Sequence, residues 1–156
     1  MVDWREIRHF TKKEFGPHVD RLDPDLIFML DRMRHDEDVA RRRAGQNGII
    51  ITINEAWAAR PNNPFSQHPR GRAVDYVIRD AHTRRPLNII EQYLIASKYP
   101  WGGLGFYPYW KAPGLHSDTR PRAMYEGRAE WWRDEQNQYR PVRDFFKYRL
   151  KIKGYS

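Results

Sequence analysis

Two histidines and an aspartate are the residues of this chain whose types and spacing best suit metal chemistry. His68 and Asp75 lie in the segment SQHPRGRAVD (residues 66–75), with Gly71 between them. Zinc accepts imidazole nitrogen and carboxylate oxygen, and a hydrolytic zinc site uses three protein ligands plus water. A loop histidine and a strand aspartate can converge if the glycine permits a tight turn. His116, on a later predicted strand, is the best candidate for the third ligand.

The spacing of His68 and Asp75 does not by itself establish a metal site. The chain contains six histidines, and an isolated His–Asp pair of this kind is usually accidental. The elements around these residues therefore have to bring them together.

The predicted elements form an α+β domain of helices packed on a few antiparallel strands. Asp23 followed by Pro24 predicts a helix start, and the helix is expected to fade within the charged run 34–43. A second helix is predicted after Pro86. Strands are predicted at 48–53, 73–78, 104–107 and 115–120, a loop at 58–71, and a partly helical tail from residue 130.

Composition limits the classes of protein that need to be considered. A chain of 156 residues with 40% hydrophobic and 14% aromatic residues fits one folded domain and excludes wholesale disorder. The net charge of +8 indicates an anionic partner, such as nucleic acid, an acidic membrane or bacterial cell-wall polymer. The absence of cysteine excludes disulfides, thiolate zinc sites and a cysteine nucleophile.

The sequence also gives expectations about the compartment. No window approaches the ~20 apolar residues of a membrane helix, so we expect no transmembrane segment. The N-terminus lacks a basic region followed by an apolar stretch, so we expect synthesis in the cytoplasm without a signal peptide. Action outside the cell would then require release by another component. We expect a monomer.

Three ordered segments resemble a known family. The segment SQHPRGRAVD resembles the S-x-H-x-x-G-x-A-x-D signature of the M15 zinc peptidases, the group of D-Ala-D-Ala carboxypeptidases and phage endolysins. Residues 102–108 (GGLGFYP) and 114–120 (GLHSDTR) are similar to a later segment of that family. Residues 10–15 (FTKKEF) are similar to the opening of one branch. The resemblance covers about residues 4–120.

This resemblance implies a site, a fold and a substrate. His68, Asp75 and His116 would be the ligands of zinc (Zn²⁺), with Ser66 and Arg72 beside the metal as substrate-binding residues. The fold would be the α+β fold shared with the hedgehog signalling domain, a small antiparallel sheet packed by helices. The peptidase-like domain would comprise residues 1–121, and residues 122–156 would form a basic and aromatic extension packed on the same domain. The substrates would be peptidoglycan peptides.

The chain departs from the family where the general base is expected. Family members often place a carboxylate or histidine two or three residues before the last ligand, but Pro113 and Gly114 occupy those positions and cannot accept a proton. Asp118, Glu55 and His82 are the alternatives, and Asp118 and Glu55 are the candidate catalytic residues. Asp118 also suits a partner that orients His116, which is the role we favour for it.

A second departure concerns the arginine that holds a substrate carboxylate in the family. That arginine follows the buried strand in an S/E-G-Y-R context, whereas here the stretch is NEAWAAR (residues 54–60). Glu55 fits the pattern, but the arginine is displaced to Arg60. Arg60 either clamps a substrate carboxylate or is an ordinary solvated loop residue.

Three functions follow from these patterns. The first is a zinc peptidase that cleaves peptidoglycan stem peptides or cross-links, released as a phage or prophage lysin. The second is a non-catalytic zinc-binding or cell-wall-binding module, for example a phage structural component. The third is nucleic-acid binding through the basic tail, which rests on charge alone and has no specific motif behind it.

Overall fold

The described part of the chain has an α+β fold with one six-stranded sheet and three α-helices. The computed structural model describes residues 1–122 and 127–152. The helices are α1 (Pro24–Arg43), α2 (Ile89–Ser97) and α3 (Val142–Ile152). The strands are β1 (Ile49–Glu55), β2 (Ala73–Asp80), β3 (Gly103–Tyr107), β4 (Gly114–Asp118), β5 (Ala129–Arg133) and β6 (Tyr139–Pro141).

Helix α1 begins where the sequence predicts and ends later than expected. The Asp23 carboxylate caps it by accepting a hydrogen bond from the Asp25 backbone N–H, and Pro24 occupies the first helical position. The expected fading within residues 34–43 is wrong, because the helix continues to Arg43. Arginine and glutamate form helices well, and opposite charges four residues apart pair along the surface, as Arg42 does with Asp38 at 2.9 Å.

The sheet is mixed rather than purely antiparallel. Its strand order is β1-β2-β4-β3-β5-β6. The pairs β1–β2, β2–β4, β3–β4 and β5–β6 are antiparallel, whereas β5 runs parallel to β3. The expected antiparallel sheet is therefore confirmed for four strand pairs. It is wrong for the fifth pair, β3–β5, which is parallel.

One face of the sheet carries the core. Tyr76, Leu115, Phe106 and Trp132 lie side by side on β2, β4, β3 and β5 and are at most 5% exposed. All three helices pack against strands of the sheet, and Phe145 of α3 contacts the Phe106 ring with 4.6 Å between centroids. Because side chains alternate along a strand, the neighbouring residue on each strand faces the opposite side.

The predicted C-terminal extension contributes β5, β6 and α3 to this fold. Trp132 and Phe145 are 5% and 3% exposed and belong to the core. Residues 123–126 and 153–156 of the extension lie outside the described residues. Within the part of the chain that the structure describes, no helix is both long enough and apolar enough to cross a membrane.

Candidate metal centre

The candidate site lies on the sheet face opposite the core. Asp75 on β2 pairs with His116 on β4, His116 pairs with Gly105 on β3, and Gly105 pairs with Trp131 on β5. These four residues form one row across the sheet, and their side chains share a face. Strand pairing alone therefore brings Asp75 and His116 together, although 41 residues separate them in the chain.

A tight turn before β2 adds His68 to this row. His68–Arg70 form a short 3-10 turn, and Gly71 follows in the left-handed conformation with φ of 70°. A Cβ at Gly71 would collide with the backbone carbonyl of Arg21, so both the conformation and the space require glycine. The turn places His68 Nε2 3.3 Å from Asp75 Oδ1.

The donor set could hold a metal ion. His68, Asp75 and His116 each offer one ligand atom, and these atoms all lie within 4.8 Å of one another. His116 Nδ1 lies 2.8 Å from Asp75 Oδ1. Bonds of ~2.0–2.2 Å in tetrahedral geometry place two ligands about 3.4 Å apart. Three described side chains therefore form a group of the type and size that can hold a metal ion.

Each histidine ring is oriented by a second oxygen. His68 Nδ1 donates to the backbone carbonyl of Ala56 at 2.5 Å, because a carbonyl oxygen only accepts. His116 Nε2 lies 3.0 Å from Asp118 Oδ2. These contacts direct Nε2 of His68 and Nδ1 of His116 toward Asp75. Histidine ligands of metals usually show this arrangement, with the remote nitrogen bonded to an oxygen.

Opposite charges hold the three side chains of this cluster together. Burial raises the pKa of Asp75, but hydrogen bonds from His116 and His68 prevail and hold it below its usual value. Burial lowers the pKa of His116, whereas hydrogen bonds to Asp118 and Asp75 outweigh it and raise the pKa to about 9. A proton on His116 Nδ1 would lie between this ring and Asp75, the same two side chains that would help to hold a metal ion.

Asp118 lies beneath His116 and is fully buried. Its two oxygens accept hydrogen bonds from Arg120 Nε at 2.7 Å and from Nη2 at 2.6 Å, in addition to the His116 contact. Burial raises the pKa of Asp118, but the hydrogen bonds from His116 and Arg120 lower it to about 2. An ionised carboxylate in this position orients His116, and it is not among the described residues that line the cleft.

Some of the other predicted site residues line the cleft, and the rest lie outside it. Ser66 and Arg60 line the cleft above the metal group, and Arg72 is not among its described lining residues. Glu55 lies opposite Asp75 on β1 and pairs with Arg60. His82 is exposed in the turn after β2.

The cleft is open and mostly aromatic and basic. Its volume is about 630 Å³. Its walls include Tyr107, Trp110 and Trp131, with Tyr107 and Trp110 stacked at 4.1 Å between centroids. Among the described lining residues, the three metal-ligand candidates carry the only carboxylate and the only imidazoles. A substrate or water would therefore meet guanidinium groups and aromatic rings around the metal.

Sequence reasoning missed Trp131 as a wall of the site. Trp131 and Trp132 both pack on the domain, but they do so on opposite faces of the sheet, with Trp132 in the core and Trp131 in the cleft. The Trp131 indole lies 5.3 Å from the His116 ring and donates from Nε1 to the Tyr107 hydroxyl at 3.1 Å. The signal was present, because adjacent strand residues face opposite sides of a sheet.

Comparisons with models of known protein families, with curated proteins and with solved structures find no match for this chain. The functional conclusion therefore depends on the residues of the site.

Proposed function

We propose that the chain is a zinc-dependent peptidase that hydrolyses a peptide bond in bacterial peptidoglycan stem peptides or cross-links. The observation that carries this proposal is the convergence of His68, Asp75 and His116 at the floor of an open cleft, with both imidazole rings oriented for metal binding. The resemblance to the M15 peptidases and the hedgehog-type fold belong to the same proposal.

The residues of the chain would have distinct roles in this reaction. His68, Asp75 and His116 would hold the ion, and bound zinc lowers the pKa of its water and polarises a peptide carbonyl. Asp118 keeps the His116 ring in place through Nε2. The guanidinium groups along the cleft attract the anionic stem peptides, which suits the net charge of +8. The site of action would be the cell wall, reached by phage-type release.

A non-catalytic zinc-binding or cell-wall-binding module is the second candidate function. The observation that favours it is the lack of a further proton acceptor among the described lining residues. The Glu55 carboxylate is paired with Arg60, and the Asp118 carboxylate is buried. A peptidase normally needs a group within reach of the metal's water to accept its proton.

The release of fragments from purified peptidoglycan distinguishes these functions. The wild-type chain is incubated with zinc and with a chelator, and the His68→Ala and His82→Ala variants are incubated with zinc. We expect soluble muropeptides from the zinc-loaded wild type and from His82→Ala, and none from the other two samples. Stoichiometric zinc binding together with no release from the wild type would exclude the peptidase and favour the binding module.

A further inference from the structure

Among the described residues, three arginines line the cleft, and two of them are already paired. Arg60 donates to the Glu55 carboxylate, and Arg120 binds Asp118 through two nitrogens. Arg133 on β5 has no carboxylate partner among residues 1–122 and 127–152. An arginine is always charged at neutral pH, and its guanidinium favours a bidentate anion. Arg133 is therefore the cleft residue whose charge is still available to a ligand.

The local structure holds Arg133 while leaving the end of its side chain available. Nε donates to the backbone carbonyl of Asn137 at 3.2 Å, in the turn between β5 and β6, where Asn137 has φ of 65°. The guanidinium lies over the Tyr139 ring, 4.9 Å from its centroid. Neither Nη nitrogen of Arg133 has a hydrogen-bond partner among the described residues. Two adjacent N–H groups of this kind match the two oxygens of a carboxylate.

The sheet places Arg133 at a useful distance from the metal group. Arg133 follows Trp131 by two residues on β5, so both side chains face the cleft. Trp131 is in the row of His116, two strands away. Strands lie ~4.8 Å apart and rise ~3.3 Å per residue, so the Arg133 and His116 backbones are about 12 Å apart. A long arginine side chain and one extended peptide residue of ~3.5 Å span most of that separation.

From this geometry we infer that Arg133 binds a carboxylate of the peptide substrate, close to the bond positioned at the metal group. This inference rests on the proposed function for the identity of the substrate and assigns the anion-binding role to the C-terminal strand β5. Arg60, which the sequence left as either a carboxylate clamp or a solvated loop residue, has its charge matched by Glu55. Arg133 is thus a specificity-determining residue, and the site is incomplete without the extension.

Binding of a matched pair of peptides tests this assignment separately from catalysis. The probes are a synthetic stem peptide ending in D-Ala-D-Ala and the same peptide with every carboxylate converted to a primary amide. Affinities are measured by calorimetry for the zinc-loaded and the zinc-free full-length chain. The variants are Arg133→Gln, Arg133→Lys and Arg60→Gln. Arg143→Gln is the matched control, since that side chain is 79% exposed on α3.

We expect the wild type to bind the acid peptide about tenfold more tightly than the amide, in both metal states. The preference falls to about twofold or less in Arg133→Gln, is intermediate in Arg133→Lys, and is unchanged in Arg60→Gln and Arg143→Gln. The circular dichroism spectrum of each variant is compared with that of the wild type.

An equal affinity of the wild type for the two peptides, or a preference that disappears in Arg60→Gln and persists in Arg133→Gln, would overturn the assignment. So would a failure of the acid peptide to bind. If the proposed function is wrong but the assignment of Arg133 is right, the wild type still prefers the acid peptide but hydrolyses neither peptide.

Discussion

His116 lies directly opposite Asp75 in the antiparallel pair of β2 and β4, with Nδ1 2.8 Å from the carboxylate oxygen. Two of the three candidate ligands thus come from neighbouring strands, and His68 comes from the turn that leads into one of them. The centre depends on correct strand pairing, so its ligands are assembled only in the folded chain.

Replacing His68 by alanine should abolish stoichiometric zinc binding. The wild type is expected to bind one zinc ion per chain, because three ligand atoms within 4.8 Å of one another complete a hydrolytic-type donor set. Calorimetric titration with zinc measures the stoichiometry, and His82→Ala is the control. A stoichiometry near one in His68→Ala would show that zinc binds elsewhere.

Asp118→Asn should weaken zinc binding about 10–100-fold, because the variant loses the charged oxygen that orients His116 through Nε2. Competition with a chromogenic chelator measures the change. Zinc affinity and peptide hydrolysis should fall together, with hydrolysis restored at saturating zinc. If Asp118 were instead the general base, zinc affinity would be retained and hydrolysis would be lost at every zinc concentration.

Gly105→Ala should destabilise the protein by about 1–3 kcal/mol. A Cβ at this position would collide with the Trp131 indole, which covers the glycine and lies beside His116. Urea unfolding measures the free energy of unfolding. Gly127→Ala is the matched control, since no atom of the described residues, apart from Gly127 and its chain neighbours, lies within 4 Å of the Cβ added there. Equal stability of the two variants would indicate that Trp131 moves aside at no cost.

Asp38 should contribute to stability at neutral pH and lose that contribution in acid. Burial raises the pKa of Asp38, but hydrogen bonds from Arg42 and the Ile49 backbone N–H lower it overall. A lowered folded-state pKa stabilises the fold above the unfolded value of about 3.9, and the contribution disappears as pH falls through the folded pKa. The wild type should therefore be more stable than Asp38→Asn at pH 7, with the difference shrinking below about pH 4.

Urea unfolding at several pH values measures that difference. Asp36→Asn is the control, because Asp36 makes only long, exposed contacts among the described residues, an ion pair with Arg32 and a hydrogen bond from the Tyr99 hydroxyl, both at 3.4 Å. The interpretation of Asp38 fails if the two variants show the same pH dependence.

Local patterns predicted most of the elements that build the site. The capped start of α1 at Asp23 and Pro24, the strands β1 to β4 and the glycine turn before β2 all follow from short-range chemistry. The three metal-ligand candidates were also identified correctly as a group that converges. The local elements depend on residues close to one another in the sequence, whereas the grouping of His116 with Asp75 depends on the pairing of β2 with β4.

Features that depend on distant pairing could not be predicted in the same way. Nothing in the AEWWR segment (residues 129–133) indicates that it pairs with β3, or that it does so in parallel. The lining of the cleft by Arg133 therefore remained hidden. The length of α1 was underestimated because ion pairs such as Arg42–Asp38 and Arg41–Glu91 stabilise a segment that looks like a solvated run of charges.

The pairing of Asp75 with His116 has a consequence for how this sheet can vary. Side chains alternate with a period of two, so a slip of β4 by one residue would turn His116 toward the helices and bring Leu115 or Ser117 to the open face. The imidazole would then be trapped in an apolar layer and Asp75 would lose its neighbour. Binding of a metal ion would therefore stabilise the register that pairs Asp75 with His116 relative to a register shifted by one residue.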